Sequence, residues 1–175
     1  MSIKSLIRAI PDYPSPGVMF RDITTLLKDP TGLRLATDQF LARYAGMGIT
    51  KVAGIEARGF MFGTVLAYEL GAGFVPIRKK NKLPWTVVGH DYALEYGTDR
   101  IEMHIDAVEP GERVLVIDDL IATGGTAEAA CILVEKMGAQ VVECGFVIDL
   151  TYLGGRKRLE DAGQKVFALC EFNND

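Results

Sequence analysis

The stretch VLVIDDLIATGGT, Val114 to Thr126, decides the architecture. Its apolar residues run on without alternation, the pattern of a strand buried on both faces of a parallel sheet. Past the glycines, Ala127, Ala130, Cys131, Val134 and Met137 recur at helical spacing. The turn Ala122, Thr123, Gly124, Gly125, Thr126 therefore lies between the carboxyl end of a strand and the amino end of a helix. Open α/β sheets bind their ligands at such places.

Each residue type in the turn has a chemical reason. Unpaired N–H groups at a helix start carry the positive end of its dipole, and glycines let an anion approach them with no Cβ in the way. A phosphate fits there, with Thr123 and Thr126 as hydroxyl donors. Asp118 and Asp119 cannot favour a phosphate beside them and must serve another part of the ligand, for which sugar hydroxyls with a hydrated divalent cation nearby are suited. A phosphate at one end and a vicinal diol a short way off describe a ribose 5-phosphate. The bland alternative is an N-cap, a glycine turn and solvated carboxylates. Either half alone would favour that alternative; both together, between strand and helix, count against it.

Working outward, 175 residues at 49% hydrophobic suffice for one well-buried domain and are short for two. Lys plus Arg is 19 against 23 for Asp plus Glu, so a net charge of −4 argues against a general nucleic-acid or membrane surface. Anionic ligands must be met by local basic clusters. Cys131, Cys144 and Cys170 lack metal-type spacing and read as free thiols of a reducing cytosol. No stretch approaches the ~18 consecutive apolar residues of a membrane span, and the start MSIKSLIRAIPDYP lacks a long apolar core. The expectation is a cytoplasmic protein with neither nucleic acid nor membrane as partner.

Along the chain, Ile3, Leu6, Ile7 and Ile10 share one helical face, so the spacing predicts a helix over residues 2–10, stopped by Pro11, Pro14 and Pro16. PDYPSPGVMFRDI then reads as an ordered arm. Phe20 in it either docks the arm onto the core or stacks on a planar heterocycle. Asp29 and Pro30 open a structural helix. Lys51 to Ile55 reads as a short buried strand, followed by the charged turn Glu56, Ala57, Arg58, Gly59 and another helix. Gly73 to Ile77 is the next strand, with Arg78, Lys79, Lys80 and Lys82 after it as a candidate anion site or a solvated lysine edge. Residues 81–105 alternate like two antiparallel strands around HDYALEYGTD and form an inserted flap with Glu95, Tyr96 and Gly97 at its tip. His90 and His104 have no metal spacing. A strand at Val141 to Asp149, a helix at Gly154 to Asp161 and a strand at Lys165 to Leu169 complete the pattern. The fold class is α/β: a mainly parallel central sheet flanked by helices, with an antiparallel flap and an N-terminal arm.

Several of these stretches carry a resemblance. VLVIDDLIATGGT resembles the motif that binds 5-phosphoribosyl 1-pyrophosphate (PRPP) in type I phosphoribosyltransferases. PSPGVMFRDI, GIEARGF and YALEYG resemble, in order, the amino-terminal signature, pyrophosphate loop and catalytic lid of the adenine phosphoribosyltransferase family. The family often has Val where Met19 stands and Ser where Ala57 stands, so a hydroxyl contact at the latter is absent. The resemblance implies one domain over residues 1–175, with a hood at 1–28 and a flap at 81–105, acting on adenine and PRPP to give AMP and pyrophosphate. It assigns Met19, Phe20 and Arg21 to adenine, Asp118 and Asp119 to the ribose diol, and Ala122, Thr123, Gly124, Gly125 and Thr126 to the 5-phosphate. Glu56, Ala57, Arg58, Arg78, Lys79 and Lys82 fall to pyrophosphate, and Glu95 with Arg58 to catalysis. It implies Mg²⁺ carried by PRPP with no direct protein ligand, and a homodimer. Two rivals stay open: a PRPP-dependent transferase for another base, and a non-catalytic nucleotide-sensing regulator of the same fold.

Overall fold

The computed structural model describes residues 2–94 and 97–173. A seven-stranded sheet runs through it. In chain order its members are β3 (Lys51–Ile55), β4 (Gly73–Lys79), β5 (Val87–Ala93), β6 (Thr98–His104), β7 (Arg113–Ile121), β8 (Gln140–Leu150) and β9 (Val166–Phe172). Across the sheet the order is β5-β6-β4-β3-β7-β8-β9. The strands from β4 to β9 pair in parallel, while β6 joins β4 and β5 antiparallel. A separate ribbon pairs β1 (Arg8–Ile10) with β2 (Phe20–Asp22).

Alternate residues of the central strands face two cores. Leu115 and Ile117 of β7 pack with Phe40 and Tyr44 of α2 (Pro30–Tyr44) and with Phe62 and Leu66 of α3 (Gly59–Leu70), numbering α1 as the short turn Thr24–Leu27. On the other face Val114 and Val116 pack with Ala130, Cys131 and Val134 of α4 (Gly125–Lys136), with Leu159 of α5 (Gly155–Asp161), and with Tyr92, Ile101 and Met103 of the flap. β7 reads as one apolar run because both its faces are covered. The helix α2 starts where Asp29 and Pro30 predict: the Asp29 carboxylate accepts from the Thr31 and Gly32 amides at 2.9 and 3.0 Å.

Three boundaries differ from the sequence reading. The helix expected over residues 2–10 is a 3₁₀ turn at Lys4–Leu6 followed by β1. The periodicity correctly buries Ile3 and Ile7, but a helix that short is marginal on its own, and pairing with β2 satisfies the backbone instead. The basic cluster does not follow its strand: β4 continues through Lys79, because Arg78 and Lys79 pair with Glu102 and Ile101 of β6. Likewise β5 and β6 extend over much of HDYALEYGTD, leaving a shorter connection than the alternation suggested.

Candidate active site

The sheet topology brings the carboxyl ends of β3, β4 and β7 side by side, and the candidate ribose, phosphate and pyrophosphate residues lie on or just beyond them. β7 runs on to Ile121, so Asp118 and Asp119 sit within the strand rather than beyond its end, and Asp119 is buried. Burial, then the charge of Asp119 beside it, pushes the Asp118 carboxyl well above the usual carboxylate range. The amide of Asp119 donates to Asp118 Oδ1 at 2.8 Å. Asp119 instead accepts from Arg58 Nε at 2.5 Å. Arg58 reaches it because Gly59 opens α3 against β7: a Cβ there would lie 2.6 Å from the Ile117 carbonyl oxygen.

Beyond β7, the turn Ala122–Thr126 frames a small cavity of about 110 Å³ that Asp118 also lines. Among the described residues no side chain caps the start of α4, which leaves its first amides available to an anion. Gly124 makes the turn possible. Its φ is +81°, and a Cβ would meet the Gly155 carbonyl oxygen at 2.8 Å. Gly155 is as constrained from its own side, where a Cβ would lie 2.4 Å from the Ala122 carbonyl oxygen. Volume alone does not mark this site: a larger cavity of about 560 Å³ beneath the arm, lined by Leu6, Arg8 and Thr25 among others, shares no residue with the carboxylate turn.

The basic residues are held by carboxylates. Glu56 accepts from Arg78 Nη2 at 2.9 Å and from the Lys79 amide at 3.0 Å, and Lys82 Nζ lies 3.7 Å away. The Arg78 guanidinium, opposed in part by burial, keeps the Glu56 carboxyl below the usual range. Lys79 turns to the flap, donating to Asp99 and, at 2.5 Å, to the Tyr92 hydroxyl. Burial disfavours its charge, but these bonds outweigh that and hold the ammonium above the usual lysine range.

The hood residues take no part in these bonds. Phe20 packs edge-on against Tyr13 with ring centroids 5.1 Å apart, Arg21 stacks its guanidinium 4.0 Å over Phe172, and Met19 is exposed. The arm is thus anchored while its apolar tip faces outward. Glu95, the candidate proton acceptor, lies outside the described residues. Tyr92, Asp99 and Gly155 belong to the site's framework although the sequence reading passed over them. Tyr92 stands in the YALEYG signature, which was its only signal.

Two carboxylates inside β7, the start of α4 and a basic cluster paired with carboxylates thus stand at the carboxyl ends of neighbouring strands. Residues 32–171 match the family model described as phosphoribosyl transferase domain. The chain is 64% identical to the adenine phosphoribosyltransferase of Methylobacillus flagellatus over 99% of each chain. The chain belongs to the adenine phosphoribosyltransferases. Its fold is similar to the crystal structure of the Rhodothermus marinus enzyme, with a TM-score of 0.92 and 55% identity over 97% of this chain and 96% of that one. The adenine phosphoribosyltransferase of Saccharomyces cerevisiae, solved with an imino-altritol bisphosphate and adenine, superimposes with a TM-score of 0.88 at 38% identity over 96% of each chain. The arm and flap expected from the sequence are accordingly parts of a type I phosphoribosyltransferase fold.

Among the described residues no group of three or more His, Cys, Asp or Glu side chains could cage a metal. One oxygen of Asp119 pairs with Arg58. No helix among the described residues is long and apolar enough to cross a membrane.

Proposed function

We propose that the chain transfers the 5-phosphoribosyl group of PRPP to N9 of adenine, releasing AMP and pyrophosphate. The observation that carries this reading is the paired carboxylates of β7 leading into an uncapped helix start. Amides of α4 with the Thr123 and Thr126 hydroxyls take the 5-phosphate, and Asp118 and Asp119 take the ribose diol. The bond from the anomeric carbon to pyrophosphate breaks first, its electron pair leaving with pyrophosphate, and adenine N9 then bonds to the cationic carbon. Positioning and charge stabilisation supply the rate.

Arg58, Arg78, Lys79 and Lys82 receive the departing pyrophosphate, with the backbone at Ala57 beside them. Glu56 serves by aiming Arg78. Magnesium bound with PRPP would supply further neutralisation of the leaving group. Phe20 covers the purine, flanked by Met19 and Arg21, and Glu95 accepts the N9 proton. The arm at 1–28 serves as the hood and the flap at 81–105 as the catalytic flap of one domain. Met61, Val65 and Tyr68, exposed at 48%, 40% and 84% along one face of α3, are apolar surface suited to a homodimer. Free thiols at Cys131, Cys144 and Cys170 suit a reducing cytoplasm.

The test is a spectrophotometric assay with PRPP and each of adenine, hypoxanthine, guanine, xanthine and uracil, with and without Mg²⁺. AMP formation from adenine alone, lost on chelation, is expected. Turnover of another base in preference, or of none, would overturn the reading. Sedimentation of the purified protein as a monomer would remove the dimer.

A further inference from the structure

We propose that Tyr92 is a positioning residue whose phenol oxygen ties the 5-phosphate side of the site, through Thr126, to the pyrophosphate side, through Lys79. This rests on the reading of the site given above. The bonds come from four elements. Thr126 Oγ1 of α4 lies 3.2 Å from the Tyr92 hydroxyl of β5, and Lys79 Nζ of β4 donates to the same oxygen at 2.5 Å. That hydroxyl in turn donates to Asp99 Oδ2 of β6 at 3.2 Å. A phenol has one proton and two lone pairs, so with two donors and one acceptor around it the oxygen is saturated.

The sheet register explains why the cluster forms. Tyr92 pairs directly with Asp99 across β5 and β6, which places both side chains on one face. Lys79 pairs with Ile101, two residues along from Asp99, so the long lysine reaches the carboxylate on the diagonal. The Tyr92 ring meanwhile rests against the phosphate turn: its Cδ2 would lie 3.5 Å from a Cβ placed on Gly125. Tyr92 is 7% exposed, whereas the Lys79 side chain is 41% exposed, a degree at which a lysine is ordinarily loose.

The chemistry follows from proton counting. When Thr126 turns its single hydroxyl proton to a phosphate oxygen, the Tyr92 proton turns from Asp99 to Thr126 Oγ1, so the pair stays bonded with its direction reversed while Asp99 keeps Lys79. Lys79 has three N–H groups and can keep Asp99 and Tyr92 while offering the third to pyrophosphate. Tyr92 therefore orients both donors without itself contacting the reacting carbon.

Tyr92→Phe keeps the ring and its packing and removes only the oxygen. The expected result is a fall of about 10-fold or more in kcat/KM for PRPP, the range of lost hydrogen bonds to charged groups, with KM for adenine unchanged. Double-mutant cycles with Lys79→Met and with Thr126→Val make the result specific. In each double variant the loss should be clearly smaller than the product of the single losses. Wild-type PRPP kinetics in Tyr92→Phe, or losses that simply multiply, overturn the proposal for Tyr92 alone. Should Lys79→Met and Thr126→Val themselves leave PRPP kinetics unchanged, the phosphate assignments fail and Tyr92 falls with them.

Discussion

Replacing Asp118 by Asn separates what the carboxylate does for the ligand from what it costs the fold. The Asp118 carboxyl is desolvated inside β7 and faces the charge of Asp119, and both effects push its pKa well up. An acid whose pKa is higher folded than unfolded binds more protons in the folded state across that interval. Stability then falls as pH rises from the ordinary value near 3.8 through the raised one, and the penalty is fully present above it. Asparagine has the same shape, and its carbonyl oxygen can keep the 2.8 Å bond from the Asp119 amide. The variant should therefore melt higher than the wild type at neutral pH and show a flatter melting temperature between acid and neutral pH. Each kcal/mol relieved is worth about 2–4 °C for a chain of this size. Activity should move the other way. One charge-assisted hydrogen bond to a ribose hydroxyl contributes about 1.5–3 kcal/mol, so kcat/KM for PRPP should drop about 10- to 150-fold, more if the bond tightens in the transition state. Calorimetry across pH and steady-state kinetics read the two halves independently. A lower melting temperature at neutral pH refutes the burial argument, and unchanged PRPP kinetics refute the ribose assignment.

Asp119→Asn should behave differently, losing stability, because it breaks the pair with a half-exposed Arg58 and leaves a buried amide in its place; chemical denaturation of the two variants side by side checks the contrast. Gly124→Ala should weaken PRPP binding far more than Gly125→Ala, since Gly124 has φ +81° and backbone at 2.8 Å while a Cβ on Gly125 meets nothing closer than 3.4 Å; isothermal titration with PRPP gives the ranking, and equal affinities would return the turn to a purely structural role. Glu95→Gln should cut single-turnover AMP formation by about 10² to 10⁴ while adenine and PRPP affinities hold, the mark of a lost base rather than a lost contact.

What the sequence made legible is what is local. The unalternating run before Asp118 identifies a central strand, and Asp29-Pro30 fixes a helix start to the residue. The glycines after Thr123 announce a tight turn because the positive φ and close approach at Gly124 are backbone demands. What stayed hidden depends on register. Nothing in RKKNK says that Arg78 and Lys79 are strand residues, since that follows from β6 folding back against them. Asp99 looks like a solvated flap charge until its pairing with Tyr92 sets it beside Lys79. Gly155 looks like a helix start until the chain returns from β8 to press it on Gly124, a contact between residues far apart in sequence.

The same ion pairs bear on how an acidic protein receives a polyanion. Every cation assigned to pyrophosphate already has a carboxylate partner: Asp119 for Arg58, Glu56 for Arg78 and Lys82, Asp99 for Lys79. These carboxylates preset the side-chain directions, so less rotamer freedom remains to be lost on binding. They also set a threshold. A monoanion must compete with a carboxylate of equal charge already in place, whereas pyrophosphate brings several charges and can engage the fixed donors together. On the proposed assignment, partnered cations would select for multiply charged ligands, and the acid pairs that lower the affinity for stray anions would contribute to the specificity for PRPP.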